Sequence, residues 1–117
     1  MEDKKILMNT YTGRVFNPLE MVPDNVAIED IAHALSMMCR GNGHLRFFYS
    51  VGLHSINCAQ EAIARGYQTG TVLACLLHDA TEAYIADLIR PVKNQLPEYE
   101  IMENNLFEVI KDKFFLQ

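Results

Sequence analysis

The apolar run Val72-Leu73-Ala74-Cys75-Leu76-Leu77 stops abruptly at His78-Asp79, and one helical turn later comes Glu82. A chain that needed only a core would not end its most apolar segment with an imidazole and two carboxylates. Burying such groups is expensive unless they pair with one another or with a metal. The segment therefore predicts a polar, metal-holding pocket cut into a helical core.

The rest of the composition is consistent with one small globular domain. With 117 residues, half of them hydrophobic and 21% charged, the chain is long enough for a single modest core and is not of disordered composition. The net charge of -5 gives no support to binding a nucleic-acid polymer, which requires clustered Lys and Arg. Lys4-Lys5, the sole adjacent basic pair, reads as a solvated end. No apolar run approaches the ~20 residues that cross a bilayer. The start, Met1-Glu2-Asp3-Lys4-Lys5, leads into too short an apolar stretch for a signal peptide. No membrane association is expected, and the chain reads as cytoplasmic. Cys39, Cys58 and Cys75 are widely spaced, with no CxxC. They read as reduced, buried small hydrophobes rather than metal ligands.

Periodicity predicts a mainly α domain over 1–117, with a hairpin and loop in 1–25 and a helical core in 26–117. Two short strands within Ile6–Phe16 flank a Thr-Gly turn. A first helix runs from Ile28 to near Arg40, with Ile28, Ile31, Ala32, Leu35 and Met38 on one face and Asp24 or Asn25 as its cap. Gly41-Asn42-Gly43 ends it. Ser50 caps a second helix, Val51 to Arg65, closed by Gly66. A third starts at Thr69 or Thr71 and continues to about Ala83. Tyr84 to Pro97 reads as an irregular connection with room for one helical turn. Pro97 opens a last helix whose apolar positions are Ile101, Leu106, Val109, Ile110 and Phe114.

His54 falls one turn inside the second helix, and His78-Asp79 fall late in the third. If those helices pack together, the three side chains converge. Two neutral imidazoles and a carboxylate suit Mn²⁺, Fe²⁺, Co²⁺ or Zn²⁺. His33 lies between core positions of the first helix, where a structural role is expected.

The segments Tyr49-Ser50-Val51-Gly52-Leu53-His54-Ser55 and Leu76-Leu77-His78-Asp79-Ala80-Thr81-Glu82-Ala83, with Asp87-Leu88-Ile89-Arg90-Pro91-Val92-Lys93 after them, carry a resemblance. Together they resemble the HD-domain metal-dependent phosphohydrolases, in particular the branch of bacterial 5′-deoxynucleotidases. The likeness covers nearly the whole chain from about Tyr11. It implies an HD-type helical bundle, with His54, His78 and Asp79 as ligands of one divalent cation (Mn, Co, Fe, Zn or Mg). Such a cation polarises a phosphate oxygen and acidifies water. By the same resemblance Glu82 is the candidate general base or water-positioning group, and Asp87 a second acid near the substrate sugar. Arg40 matches an arginine that grips phosphate, a task its planar donors suit. His44 and Arg46 follow in the same loop as further candidates for the substrate. Lys93 reads as a solvated lysine.

The family pattern also has a fourth ligand, an aspartate on a later helix. Asp112 is the only aspartate in the last predicted helix, and in Lys111-Asp112-Lys113 it reads as part of a solvated face and is not assigned. Either the chain is a shortened form of a longer protein or another group completes the shell. If C-terminal helices are missing, the apolar surface left behind favours a homodimer. The expected activity is metal-dependent release of phosphate from a small phosphomonoester, foremost a nucleoside 5′-monophosphate. The alternatives are a non-catalytic HD module that binds metal or nucleotide, and a helical interaction domain.

Overall fold

The N-terminal hairpin forms as the Thr-Gly turn predicts. In the computed structural model, which describes residues 6–114, β1 (Met8–Asn9) pairs antiparallel with β2 (Val15–Phe16), Met8 opposite Phe16. Gly13, at φ +87°, makes the turn and donates its N–H to the Thr10 carbonyl at 2.9 Å. The Lys4-Lys5 pair lies outside the described residues. Buried Asp30 ties the hairpin to the helical body, accepting from Thr12 N–H at 2.8 Å and from the Thr12 hydroxyl at 3.0 Å.

Among the described residues six α-helical segments follow: α1 (Ile28–Ser36), α2 (Val51–Ala64), α3 (Thr69–Leu77), α4 (Glu82–Ile85), α5 (Arg90–Lys93) and α6 (Pro97–Phe114). The protein is therefore mainly α with a small antiparallel hairpin. One buried cluster joins Phe16, Val26, Ile31, Leu35, Val51, Leu77, Leu106 and Ile110, so hairpin, loop and helices share a core. Among the described residues no helix is long and apolar enough to cross a membrane.

Local chemistry explains most helix ends. The Ser50 hydroxyl accepts the Leu53 N–H at 2.9 Å, the expected cap of α2. Gly66, at φ +79°, lies just beyond the helix. Pro97 opens α6, where its missing N–H costs nothing. The cap expected for α1 is corrected: Ala27 occupies that position without a side-chain bond, Asp24 lies in a 3-10 turn, and Asn25 accepts instead from Val22 N–H. Ile28, Ala32 and Ile101, expected on buried faces, are exposed; Ile28 and Ala32 line an open apolar groove with Leu53 and Ile56.

Two boundaries differ from expectation in ways that shape the site. α1 stops at Ser36, not near Arg40. The backbone from Met38 to Arg40 pairs with Tyr49 to Val51: Arg40 N–H donates to Tyr49 O and Val51 N–H to Met38 O, both at 2.8 Å. Carbonyls and amides taken by that bridge are not free to continue a helix. The third helix breaks at Leu77, and residues 78–81 form tight turns before α4. Their bonds run i to i−3, as from Ala80 to Leu77 and from Glu82 to Asp79, both at 3.0 Å. The buried Ala80 and Thr81 hold these turns against the core.

Candidate functional site

Gly52 sets how closely α2 meets α1. A Cβ at this position would lie 3.2 Å from the Ser36 nitrogen and 3.3 Å from the Leu35 carbonyl carbon. His54 lies two residues further along the same helix. α2 and α3 are also packed side by side.

The predicted convergence occurs. His54 Nε2 lies 3.6 Å from Asp79 Oδ2, and His78 Nε2 lies 3.0 Å from the same oxygen. The two imidazole rings meet edge to face, with centroids 5.4 Å apart. His78 Nδ1 lies 2.6 Å from the Cys75 carbonyl, to which it donates its proton. With Nδ1 donating there, Nε2 is the nitrogen that faces Asp79: protonated, it hydrogen-bonds the carboxylate, and deprotonated it would offer its lone pair to a metal. Donors at metal distances of 2.0–2.2 Å in tetrahedral array have N···O edges of about 3.4 Å. The observed 3.6 and 3.0 Å lie either side of that value, and ligand nitrogens of His54 and His78 lie within 4.8 Å of each other, so these three side chains are close enough together to hold one divalent cation.

Charge in the cluster is finely divided. Burial, then the Arg40 charge, lowers the pKa of His54, with Asp79 opposing. The hydrogen bond to Asp79 raises that of His78 against the effect of burial. Burial pushes Asp79 up, but hydrogen bonds with His78 and Glu82 outweigh it and hold the carboxyl below its ordinary value. Glu82 takes the opposite course: burial, reinforced by the neighbouring Asp79, pushes it up to about 9. Two carboxyls in one site do not both ionise readily, and Glu82 carries the proton.

Asp79 and Glu82 also line a cavity of about 320 Å³, together with Arg40, Asp87, Arg90 and Lys93. The cavity therefore joins the imidazole cluster, through Asp79, to three basic side chains. Arg40 stands at the start of the 3-10 turn Arg40–Gly43, held by its backbone bond to Tyr49. Asp87 follows Ala86, whose φ of +74° turns the chain sharply. His44 and Arg46 are exposed on the following loop and are not part of the cavity wall. His33 stacks on Tyr11 at 3.7 Å between ring centroids, as a structural residue would. Asp112 is exposed near the end of α6.

Three features escaped the sequence reading. Arg90 lines the cavity, although nothing in its local pattern distinguishes it from a helix-start residue. Lys93 is not simply solvated: its Nζ pairs with Glu103 at 2.6 Å and sits 5.8 Å from the Tyr99 ring centroid. Cys58, dismissed for want of a CxxC, has its Sγ 3.6 Å from His54 Nε2. The available signal was the His54-to-Cys58 spacing of one helical turn, which aligns two side chains on one face.

No family model matches the chain. It is 38% identical over 109 residues to the uncharacterized protein YfdR of Escherichia coli, covering 93% of this chain and 58% of that protein. It is 34% identical over 119 aligned positions to an uncharacterized protein of Rhodobacter capsulatus, covering 97% of this chain and 60% of that one. The chain thus spans about three fifths of the length of the curated relatives it matches.

Proposed function

We propose that the chain is a metal-dependent phosphohydrolase unit of the HD-domain type, acting on a small phosphomonoester, foremost a nucleoside 5′-monophosphate. One observation carries the reading. Imidazoles from two different elements approach a single Asp79 oxygen at 3.6 and 3.0 Å, and that carboxylate also lines a cavity whose wall carries Arg40, Arg90 and Lys93 beside Glu82 and Asp87. The likeness of the segments around His54 and His78-Asp79 to the HD phosphohydrolases supports the reaction class.

In this reading His54, His78 and Asp79 hold a divalent cation, which when bound polarises a phosphate oxygen and acidifies water. Arg40 pairs two phosphate oxygens through its planar donors. Arg90 adds positive charge along the same wall, where Lys93 is paired with Glu103. A cation held there would favour ionised Glu82, opposing the burial and the Asp79, Asp87 and Glu103 carboxylates that keep its proton. Ionised Glu82 accepts a proton from the attacking water at a carboxylate oxygen. As the water oxygen bonds to phosphorus, the bond to the sugar oxygen breaks, and that oxygen takes up the proton that Glu82 accepted. Asp87 receives a sugar hydroxyl.

The test is release of inorganic phosphate from a panel of nucleotides with Mn²⁺ or Co²⁺ added. The Asp79→Ala variant should lose both metal binding and release. An unchanged rate in that variant would refute the assignment. Calorimetric nucleotide binding with no release under any divalent metal would make the chain a binding module instead.

A further inference from the structure

We propose that a second cavity, between the hairpin, α1 and α4, is a binding site for an unphosphorylated nucleobase or nucleoside. The cavity holds about 330 Å³, at the lower end of small-molecule sites. Tyr11 from the hairpin, Asp30 and His33 from α1, and Ala83 and Tyr84 from α4 line it. His54, His78 and Asp79 do not, so the inference stands apart from the metal-centre reading.

The wall contains a polar group without a partner. Tyr84 is 8% exposed, and its hydroxyl makes no hydrogen bond among the described residues. Burial raises its pKa, so the oxygen keeps its proton; the Ala27 N–H, directed at that oxygen, opposes the rise and offers the proton no acceptor. An unpaired buried hydroxyl is costly, and an acceptor bound in the cavity relieves it. Asp30 supplies the opposite function. Its two oxygens accept from the Thr12 N–H and hydroxyl at 2.8 and 3.0 Å, and each keeps a further lone pair. Arg14 stands 4.0 Å from Asp30 and is not in the wall. Among the described residues no Lys or Arg lines the cavity, so a phosphate would meet a carboxylate with no cation beside it. Tyr11 and His33 stack at 3.7 Å and 10°, with Tyr11 68% exposed, and form a flat aromatic part of the wall.

A ligand that matches this wall is flat, carries N–H donors for Asp30, and has a neighbouring ring nitrogen or carbonyl for the Tyr84 hydroxyl. Nucleobases combine these features on one edge. α4 reaches both cavities, with Glu82 on the metal side and Ala83 and Tyr84 here. A base bound here therefore braces the short helix that carries Glu82.

Calorimetric titration of the metal-free protein with adenine, guanine, cytosine, uracil and their nucleosides tests the site. At least one should bind, and the nucleoside should bind at least tenfold more tightly than its 5′-monophosphate. Tyr84→Phe should weaken binding roughly tenfold, the loss of one buried hydrogen bond, and Tyr11→Ala roughly threefold or more. Ligand-free Tyr84→Phe should melt no lower than wild type, because the hydroxyl it removes is unpaired. Asp79→Ala should leave base binding unchanged. No binding by any of these compounds, or equal affinity in Tyr84→Phe, would overturn the proposal. So would a lowered melting temperature of ligand-free Tyr84→Phe, which marks a hydroxyl already satisfied by water. Binding abolished by Asp79→Ala but kept in Tyr84→Phe puts the base in the catalytic cavity, overturning this site and leaving the proposed function standing.

Discussion

The phenol of Tyr99 donates a hydrogen bond to the backbone carbonyl of Ala86, joining α6 to the turn that follows α4. Ala86 has φ +74° and ψ 166°, a region that residues other than glycine enter only with strain. Burial and the nearby Glu103 push the Tyr99 hydroxyl up to about 12, so it stays a donor at any ordinary pH. The bond holds a strained turn whose next residue, Asp87, lines the cavity.

Tyr99→Phe should therefore lower stability by about 1 kcal/mol, a shift of roughly 4–6 °C in Tm. Adding Ala86→Gly should restore much of that loss, because glycine relaxes the turn. Thermal denaturation of the single and double variants checks both. A Tyr99→Phe protein that melts like wild type would show that the bond carries no net energy.

Gly52→Ala should be destabilising although alanine is the better helix former. The added methyl meets backbone atoms of Leu35 and Ser36 at 3.2–3.4 Å, and backbone yields less readily than a side-chain tip. Overpacking of this kind costs about 1–3 kcal/mol. Pushing α2 off α1 also moves His54 relative to Asp79, so cobalt affinity should fall with stability. Urea denaturation and metal titration read the two effects, and a variant as stable as wild type would contradict so close an approach.

Glu82 gives the metal-free protein a distinctive pH dependence. Its folded-state pKa of about 9 lies above its ordinary value of 4.5, so the folded chain keeps a proton the unfolded chain has lost. Stability from this group is complete below pH 4.5 and declines as pH rises toward about 9. His78, also raised, acts in the same direction above its ordinary value of 6.5. Asp79, held low, acts oppositely and loses its contribution only on acidification below its ordinary 3.8. Glu82→Gln should flatten the fall of Tm between pH 5 and 9 without removing it. If wild type and Glu82→Gln show parallel Tm profiles, Glu82 is ionised in the folded protein.

Much of the fold was legible because its signals are local. Ser50 capping α2, Gly66 beyond its end and Pro97 opening α6 depend on backbone donors within a few residues. The convergence of His54 with His78-Asp79 could be stated in advance because each motif sits at a definable place on its helix. Residue roles that depend on partners distant in sequence could not be read. Arg90 and Lys93 look like ordinary helix-end cations until α5 meets α6. Cys58 looks like a small hydrophobe until α2 lies beside the turns after α3.

What the chain alone determined is its helical register, its hairpin, and the presence of acids and imidazoles where a core should be. Those follow from hydrophobic period, capping chemistry and glycine placement, all short-range. Tertiary structure decided that α1 would stop at Ser36, that the third helix would break at Leu77, and that His44 and Arg46 would stay off the cavity wall. Each of those outcomes is a competition between helix continuation and a long-range alternative: a backbone bridge from Cys39 to Ser50, or burial of Ala80 and Thr81 against the core. Such alternatives gain their energy from groups brought near only after the helices have packed, so no window of sequence contains them.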